Sequence, residues 1–152
     1  MSREVVCPSG FVFMYDGCYT RNAQALPWID ASIAAVDQNA TLAAIHSEPQ
    51  NRWIGEHLRR KGWLSANLWR GLNDIAKEGD WVQADGSDAQ FGLWARWEPS
   101  TNSGENCARL DTDLLWYQEQ CANAKPSLIR WNASATYPRQ GTTILACSWT
   151  PL

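Results

Sequence analysis

WEPSTNSGENC, residues 97–107, is the stretch on which the reading of this chain turns. It sets two carboxylates, Glu98 and Glu105, a proline and Cys107 among small polar side chains. No apolar period runs through it, so neither helix nor strand is predicted. It closes a longer tract, residues 85–106, rich in Gly, Ser, Asn and Asp. A loop of that length inside a compact domain is usually functional or disordered. Phe91, Trp94 and Trp97 argue for order, because disordered segments lack such aromatics.

Working outward, the flanks change texture. Ahead of the loop, Leu68–Leu72 and Asp80–Ala84 read as strands, with Asp85-Gly86-Ser87 as a turn. Behind it, Cys107–Leu110 and Leu115–Cys121 are strands clamped by a disulfide. The first half is helical. Pro27 opens a helix through Trp28, Ala31 and Ala35 to about Gln38, and Asn39 stops it. Ala40–Ile45 is a short buried strand. A second helix starts at Ser47, with Pro49 in its first turn and Gln50 at the capping-box position. Trp53, Ile54, His57 and Leu58 share one face of it, and Gly62 ends it. His57 reads as a structural histidine. VVCPSGFVFMYDGCYT, residues 5–20, is a hairpin closed by Cys7 and Cys18.

The totals narrow the function. With 152 residues, 45% hydrophobic and 19% charged, the chain is one globular domain by size. A net charge of −3 is wrong for a nucleic-acid partner, which selects a basic face. Arg59-Arg60-Lys61 is the one basic run and suits a solvated helix C-terminus. No apolar stretch reaches the roughly 18 residues of a membrane span. Five cysteines include two pairs, eleven and fourteen residues apart, that bracket short segments, as local disulfides do in an oxidising compartment. The spacings match no common zinc pattern, and His46 and His57 lie far from them. The sequons Asn39-Ala-Thr41 and Asn132-Ala-Ser134 agree with export. The N-terminus lacks the apolar region of a signal peptide, so an exported form would have lost a leader, and Met1 would not belong to it.

Taken in order, these pieces resemble the C-type lectin-like domain from Cys7 to about Arg130. Cys7-Pro8 with Cys18-Tyr19 is similar to the N-terminal hairpin of the family's long form. Trp28 and Ala31 fit its first helix, and Leu42-Ala43-Ala44-Ile45-His46-Ser47 its strand into the second. Trp69-Arg70-Gly71-Leu72 resembles the family's Trp-Ile-Gly-Leu signature. Asp74 to Gly79, Trp81, Trp94, Glu98-Pro99, Gly104-Glu105-Asn106-Cys107 and Trp116 with Cys121 follow in family order. The resemblance implies an α+β fold, two helices packed on small antiparallel sheets with a long irregular ligand-binding loop. It implies a secreted or extracellular recognition module.

Two departures stand out. The family usually joins its first helix to its last strand by a core disulfide, where this chain has Ala35 and either Ile129 or Arg130. A lost disulfide costs about 2–5 kcal/mol, and ten tryptophans, each burying on the order of 150–250 Å², are placed to compensate. The other departure is the tail, in which TTILACSW reads as a strand. Either 1–130 is the domain and 131–152 an extension, or 126–141 is an insertion ahead of a closing strand that carries Cys147. In the extension reading, Cys147 is a buried thiol or bridges a disulfide-linked dimer.

The resemblance also implies a calcium ion, held by hard oxygens and coordinating sugar hydroxyls. The family pattern is Glu-Pro-Asn, a later Glu, and Trp-Asn-Asp. Here Glu98, Pro99 and Glu105 are in place, Ser100 replaces the Asn, and Tyr117 and Gln118 replace the Asn-Asp pair. The sugar-chelating pattern is therefore partly eroded. An auxiliary calcium site fares better, matching Asp74, Glu78, Glu105 and Asn106. The family's proline bond is often cis, which makes Glu98-Pro99 a cis candidate. Two functions follow: a glycan-binding lectin in which Trp97 stacks on a sugar, or a calcium-independent protein-recognition or adhesion module. The alternative role for Trp97 is a core or loop anchor. Glu98 and Glu105 are the carboxylates a glycosidase would use, but no Gly-x-Ser-x-Gly elbow or phosphate loop is present, so an enzyme is not expected.

Overall fold

The computed structural model describes residues 6–100 and 104–133. Its elements run β1 (Val12–Met14), β2 (Gly17–Leu26), α1 (Trp28–Val36), β3 (Ala40–Leu42), α2 (Glu48–Arg60), β4 (Leu68–Asn73), β5 (Val82–Gln83), β6 (Cys107–Leu110), β7 (Trp116–Glu119) and β8 (Lys125–Trp131). The strands form one sheet in the order β1-β2-β8-β4-β6-β7, with β3 added to β8 and β5 to β4. All pairs are antiparallel except β4 with β8, which meet in parallel at Trp69 and Ser127. This is the expected α+β architecture. Cys7 bonds Cys18 and Cys107 bonds Cys121.

Local chemistry accounts for the element ends. Asn39 takes φ 58°, a left-handed turn that Asn tolerates, and α1 gives way to β3 there. Ser47 Oγ accepts from the Gln50 amide at 3.2 Å and caps α2. The Gln50 side chain reaches back one residue further than a capping box requires, accepting from the His46 amide at 2.7 Å. Its Nε2 donates to Tyr19 Oη at 3.2 Å, so the cap is tied to the sheet. Gly62, φ 74°, follows the helix C-terminus.

β4 carries the centre of the fold. Trp28 Nε1 donates to the Arg70 carbonyl at 2.8 Å, and Trp69 Nε1 to the Leu26 carbonyl at 2.9 Å. A Cβ on Gly71 would sit 2.7 Å from the Leu42 carbonyl oxygen, so only glycine lets the chain after β3 lie this close to β4. Arg70, at the signature's isoleucine position, is fully buried, with its guanidinium 3.8 Å from the Trp116 ring centroid. Where the family has its further disulfide, Ala35 and Ile129 are both completely buried in one apolar cluster with Trp28, Leu42 and Trp69.

Some expectations need correction. The buried stripe of α2 is Gln50, Asn51, Ile54, Gly55 and Leu58. Trp53 is 51% exposed and stacks on His57, 5.2 Å between ring centroids, at the rim. The polar pair displaces it because both side chains find partners inside: Asn51 accepts from Trp116 Nε1 at 2.9 Å and donates to the Leu114 carbonyl at 2.8 Å. The helix expected to Gln38 ends at Val36, and the strands expected at 40–45, 80–84 and 115–121 are shorter. β8 spans Lys125–Trp131 and pairs with β2, β3 and β4. Cys147 and TTILACSW lie outside the described residues.

Candidate functional site

The loop between β5 and β6 is anchored by aromatics and by backbone hydrogen bonds. Trp116 N donates to the Leu93 carbonyl at 3.0 Å, and Ala95 N to the Trp116 carbonyl at 2.9 Å. Trp94 packs edge-on against Trp81 and Trp116, and Phe91 against Trp116. These rings hold the loop base to the core. Trp97 is different: it is 81% exposed and takes φ 72°, uncommon for a bulky residue. The Arg96 guanidinium lies 4.9 Å from its ring centroid.

The Glu98-Pro99 bond is cis. Beyond it, Gln118 stitches the loop shut. Its backbone N–H donates to Glu98 Oε1 at 3.1 Å, its Oε1 accepts from the Ser100 amide, and its Nε2 donates to the Glu105 carbonyl at 3.0 Å. One buried residue thus brings together Glu98, through its backbone amide, and Ser100 and Glu105, through its side chain. Tyr117 stands apart. Strand alternation turns it to the opposite side of β7, where its hydroxyl donates to Asp113 Oδ2 at 2.6 Å and the Arg109 guanidinium lies 4.6 Å from its ring centroid. The hydrogen bond to Asp113 first, then desolvation and acidic neighbours, raises the phenol's pKa.

Asp74 is buried at the end of β4, and its amide donates to the Asn106 carbonyl at 3.0 Å. Its Oδ2 accepts from the Gly79 amide at 2.8 Å, while Oδ1 is buried without a hydrogen-bond partner among the described residues. Glu78 closes the same turn. Desolvation, then the Asp74 carboxylate and a hydrogen bond with it, hold its carboxyl above the ordinary range. Two acids facing each other with one orphaned oxygen suit a hard cation. The sugar-chelating set fits one poorly: Tyr117 points elsewhere, and Gln118 Oε1 and Glu98 Oε1 already have donors. Among the described residues, no group of three or more His, Cys, Asp or Glu side chains is placed to hold a metal.

One further constellation is absent from the sequence reading. Ser87 Oγ donates to Asp85 Oδ1 at 2.6 Å and lies 2.7 Å from His46 Nε2. With its proton committed to the carboxylate, the hydroxyl can only accept from the imidazole, the reverse of a nucleophile–base pair. Arg96 beside Trp97 was also missed; adjacency of a cation and an exposed aromatic was the available signal.

The profile of the lectin C-type domain matches residues 24–128. The lectin BRA-3 of Megabalanus rosa is 31% identical over 134 residues, covering 84% of this chain and 80% of that protein. The low affinity immunoglobulin epsilon Fc receptor of Mus musculus is 28% identical over 117 residues, covering 76% of this chain, which spans only about a third (34%) of the receptor. Among solved structures, a calcium-independent type II antifreeze protein superposes with a TM-score of 0.76 at 22% identity, covering 86% of this chain and 97% of that one. At that identity the likeness concerns the fold alone.

Proposed function

Because the chain belongs to the C-type lectin family, we propose that it is an extracellular recognition module that binds glycans at the face formed by Trp97, Glu98, Ser100 and Glu105. The observation that carries this reading is Trp97, a large aromatic 81% exposed at the rim of a loop whose other tryptophan, Trp94, is packed against Trp81 and Trp116. An exposed ring of this kind offers an apolar platform for the C–H face of a pyranose, and Glu98 and Arg96 beside it offer an acceptor and donors for hydroxyls. Two disulfides support an oxidising compartment. The paired acids Asp74 and Glu78, with Asn106 joined to Asp74 through the backbone, are the calcium candidates, and Glu105 precedes Asn106 in the chain; bound there, the ion would neutralise the turn. A single such face binds weakly, so useful avidity needs several copies. Catalysis forms no part of this reading.

A second reading has its own support. Gln118 spends both ends of its amide inside the loop, and one Glu98 oxygen is taken by the β7 backbone. A loop so self-satisfied suits recognition of an extracellular protein surface without calcium. A glycan array probed in calcium and in EDTA separates the two. Retained sugar hits that free saccharide competes away support the first reading, with EDTA sensitivity reporting the calcium contribution. An array without competable hits favours the second.

A further inference from the structure

The sequons Asn39-Ala-Thr41 and Asn132-Ala-Ser134 lie far apart in the chain, yet the fold brings their asparagines together. The Asn132 amide donates to the Asn39 carbonyl at 2.7 Å, one step beyond the strand pair Ala40 and Trp131. Asn39 sits where α1 turns into β3, with φ 58°. Its own N–H donates to the Val36 carbonyl at 3.0 Å, so both of its backbone groups are used inside the turn. The residue is exposed, and its side-chain amide makes no hydrogen bond among the described residues. Thr41, opposite Arg130 on β3, likewise keeps its hydroxyl outside every hydrogen bond among the described residues. The strand uses only its β-branched shape, which valine would supply equally. The surface beside Asn39 is apolar. Helix α1 buries Trp28, Ala31 and Ala35 and leaves Ile33 and Val36 56% and 62% exposed. Val36 is one hydrogen bond from Asn39, and Ile33 lies about 5 Å further along the axis. A solvated helix normally shows polar residues there, so this stripe marks a covered surface.

We propose that Asn39 is an N-glycosylation site and that the first sugars of its glycan lie over Val36 and Ile33. The inference rests on the extracellular reading, because only a chain that enters a secretory compartment meets the sugar donor. That donor is an oligosaccharide carried on a lipid pyrophosphate. Asn39 Nδ2 bonds to C1 of its terminal N-acetylglucosamine as the C1–O bond to pyrophosphate breaks. The lipid pyrophosphate leaves with the electron pair, and the displaced amide proton passes to a base of the transferase. The Thr41 hydroxyl is read in this step, which gives a group without a task in the fold a task before folding. A pyranose has an apolar C–H face as well as hydroxyls. Seated on α1, it covers the aliphatic side chains and turns hydroxyls to water, which makes the corner bulky and soluble.

The test sends the full chain through a eukaryotic secretory pathway behind a cleavable leader. Asn39 is then read by peptide mass before and after peptide N-glycosidase, which leaves aspartate where a glycan was attached. Supplying the leader keeps the two readings apart: a bare Asn39 counts against the site, not against the extracellular location. The parent and Thr41→Ser should carry the glycan. Thr41→Val, which keeps the strand shape, should be secreted folded and bare. That bare form should bind an apolar dye more strongly than the parent, and adding Ile33→Ser should remove the excess. An unmodified Asn39 in the secreted parent would overturn the proposal, as would a glycan found on Asn132 with Asn39 bare. Equal dye binding by the parent and Thr41→Val would overturn the seat on α1.

Discussion

Arg70 is the residue with the largest expected return on substitution. It occupies the aliphatic position of the Trp-x-Gly-Leu signature, is fully buried, and burial pushes its guanidinium down to about 9, still charged at neutral pH. Nη2 donates to Gln83 Oε1 at 3.2 Å, but Nε and Nη1 have no partner among the described residues. Each orphaned donor costs about 1–3 kcal/mol. Against this stands the cation–π contact with Trp116, at 3.8 Å, worth about 2 kcal/mol when desolvated. Arg70→Met keeps the unbranched stem and removes the charge. It forfeits the ring contact and leaves Gln83 Oε1 without its donor, about 1–3 kcal/mol, but relieves two orphans and the burial of a cation. The balance favours methionine by about 1–3 kcal/mol, a rise of roughly 2–4 °C in melting temperature per kcal/mol for a domain of this size. Arg70→Lys keeps the charge, loses the planar stack and should be less stable than the parent. Thermal unfolding and urea titration read both. A fall in stability for Arg70→Met would refute the reasoning and show that the guanidinium is a net stabiliser.

Other outcomes follow from the same contacts. Gly71→Ala should cost about 2 kcal/mol or more by urea titration, because its Cβ meets backbone oxygens that cannot yield. Asn51→Ala should cost about 2–3 kcal/mol by the same measurement, since it strands Trp116 Nε1 and the Leu114 carbonyl. Burial opposes ionisation of Glu119, but hydrogen bonds from Asn123, Lys125 and Arg109 and the two cations outweigh it and hold its pKa low. A depressed carboxyl contributes stability that is complete above its unfolded pKa, about 4.3, and is lost as pH falls below it toward the folded one. Glu119→Gln should therefore flatten the acid limb of the stability curve, and an unchanged limb would contradict the assignment. Millimolar calcium should raise the melting temperature over EDTA, and Asp74→Asn, which keeps the acceptor for Gly79, should abolish the rise. Overlapping curves for the parent would remove the ion from the account.

Much of the fold was legible because punctuation and periodicity agreed. Ser47, Pro49 and Gly62 bound α2, and Asn39 makes the left-handed turn from the end of α1 into β3, each for a backbone reason that needs no tertiary context. Trp53 misled because hydrophobicity alone was weighed. Gln50 and Asn51 are buried as donors and acceptors for Tyr19, Trp116 and Leu114, partners that lie far away in sequence. In the loop, Glu98, Ser100 and Gln118 were readable as positions, but the direction of their hydrogen bonds was not. Tyr117 was the readable miss: a period of two places Trp116 and Gln118 on one side of β7 and Tyr117 on the other. Arg70 was legible as a departure from the signature, yet nothing in the sequence indicated that Gln83 and Trp116 would receive it.

The central claim is that the exposed Trp97 platform binds sugar. The direct measurement is the affinity of Trp97→Ala against the parent for the strongest glycan found on the array, with melting temperatures compared alongside. An exposed side chain contributes little to folding, so stability should hold while affinity falls at least about tenfold, the equivalent of losing 1.4 kcal/mol of contact. Unchanged affinity in a folded Trp97→Ala would contradict the account and move the binding face away from this loop rim.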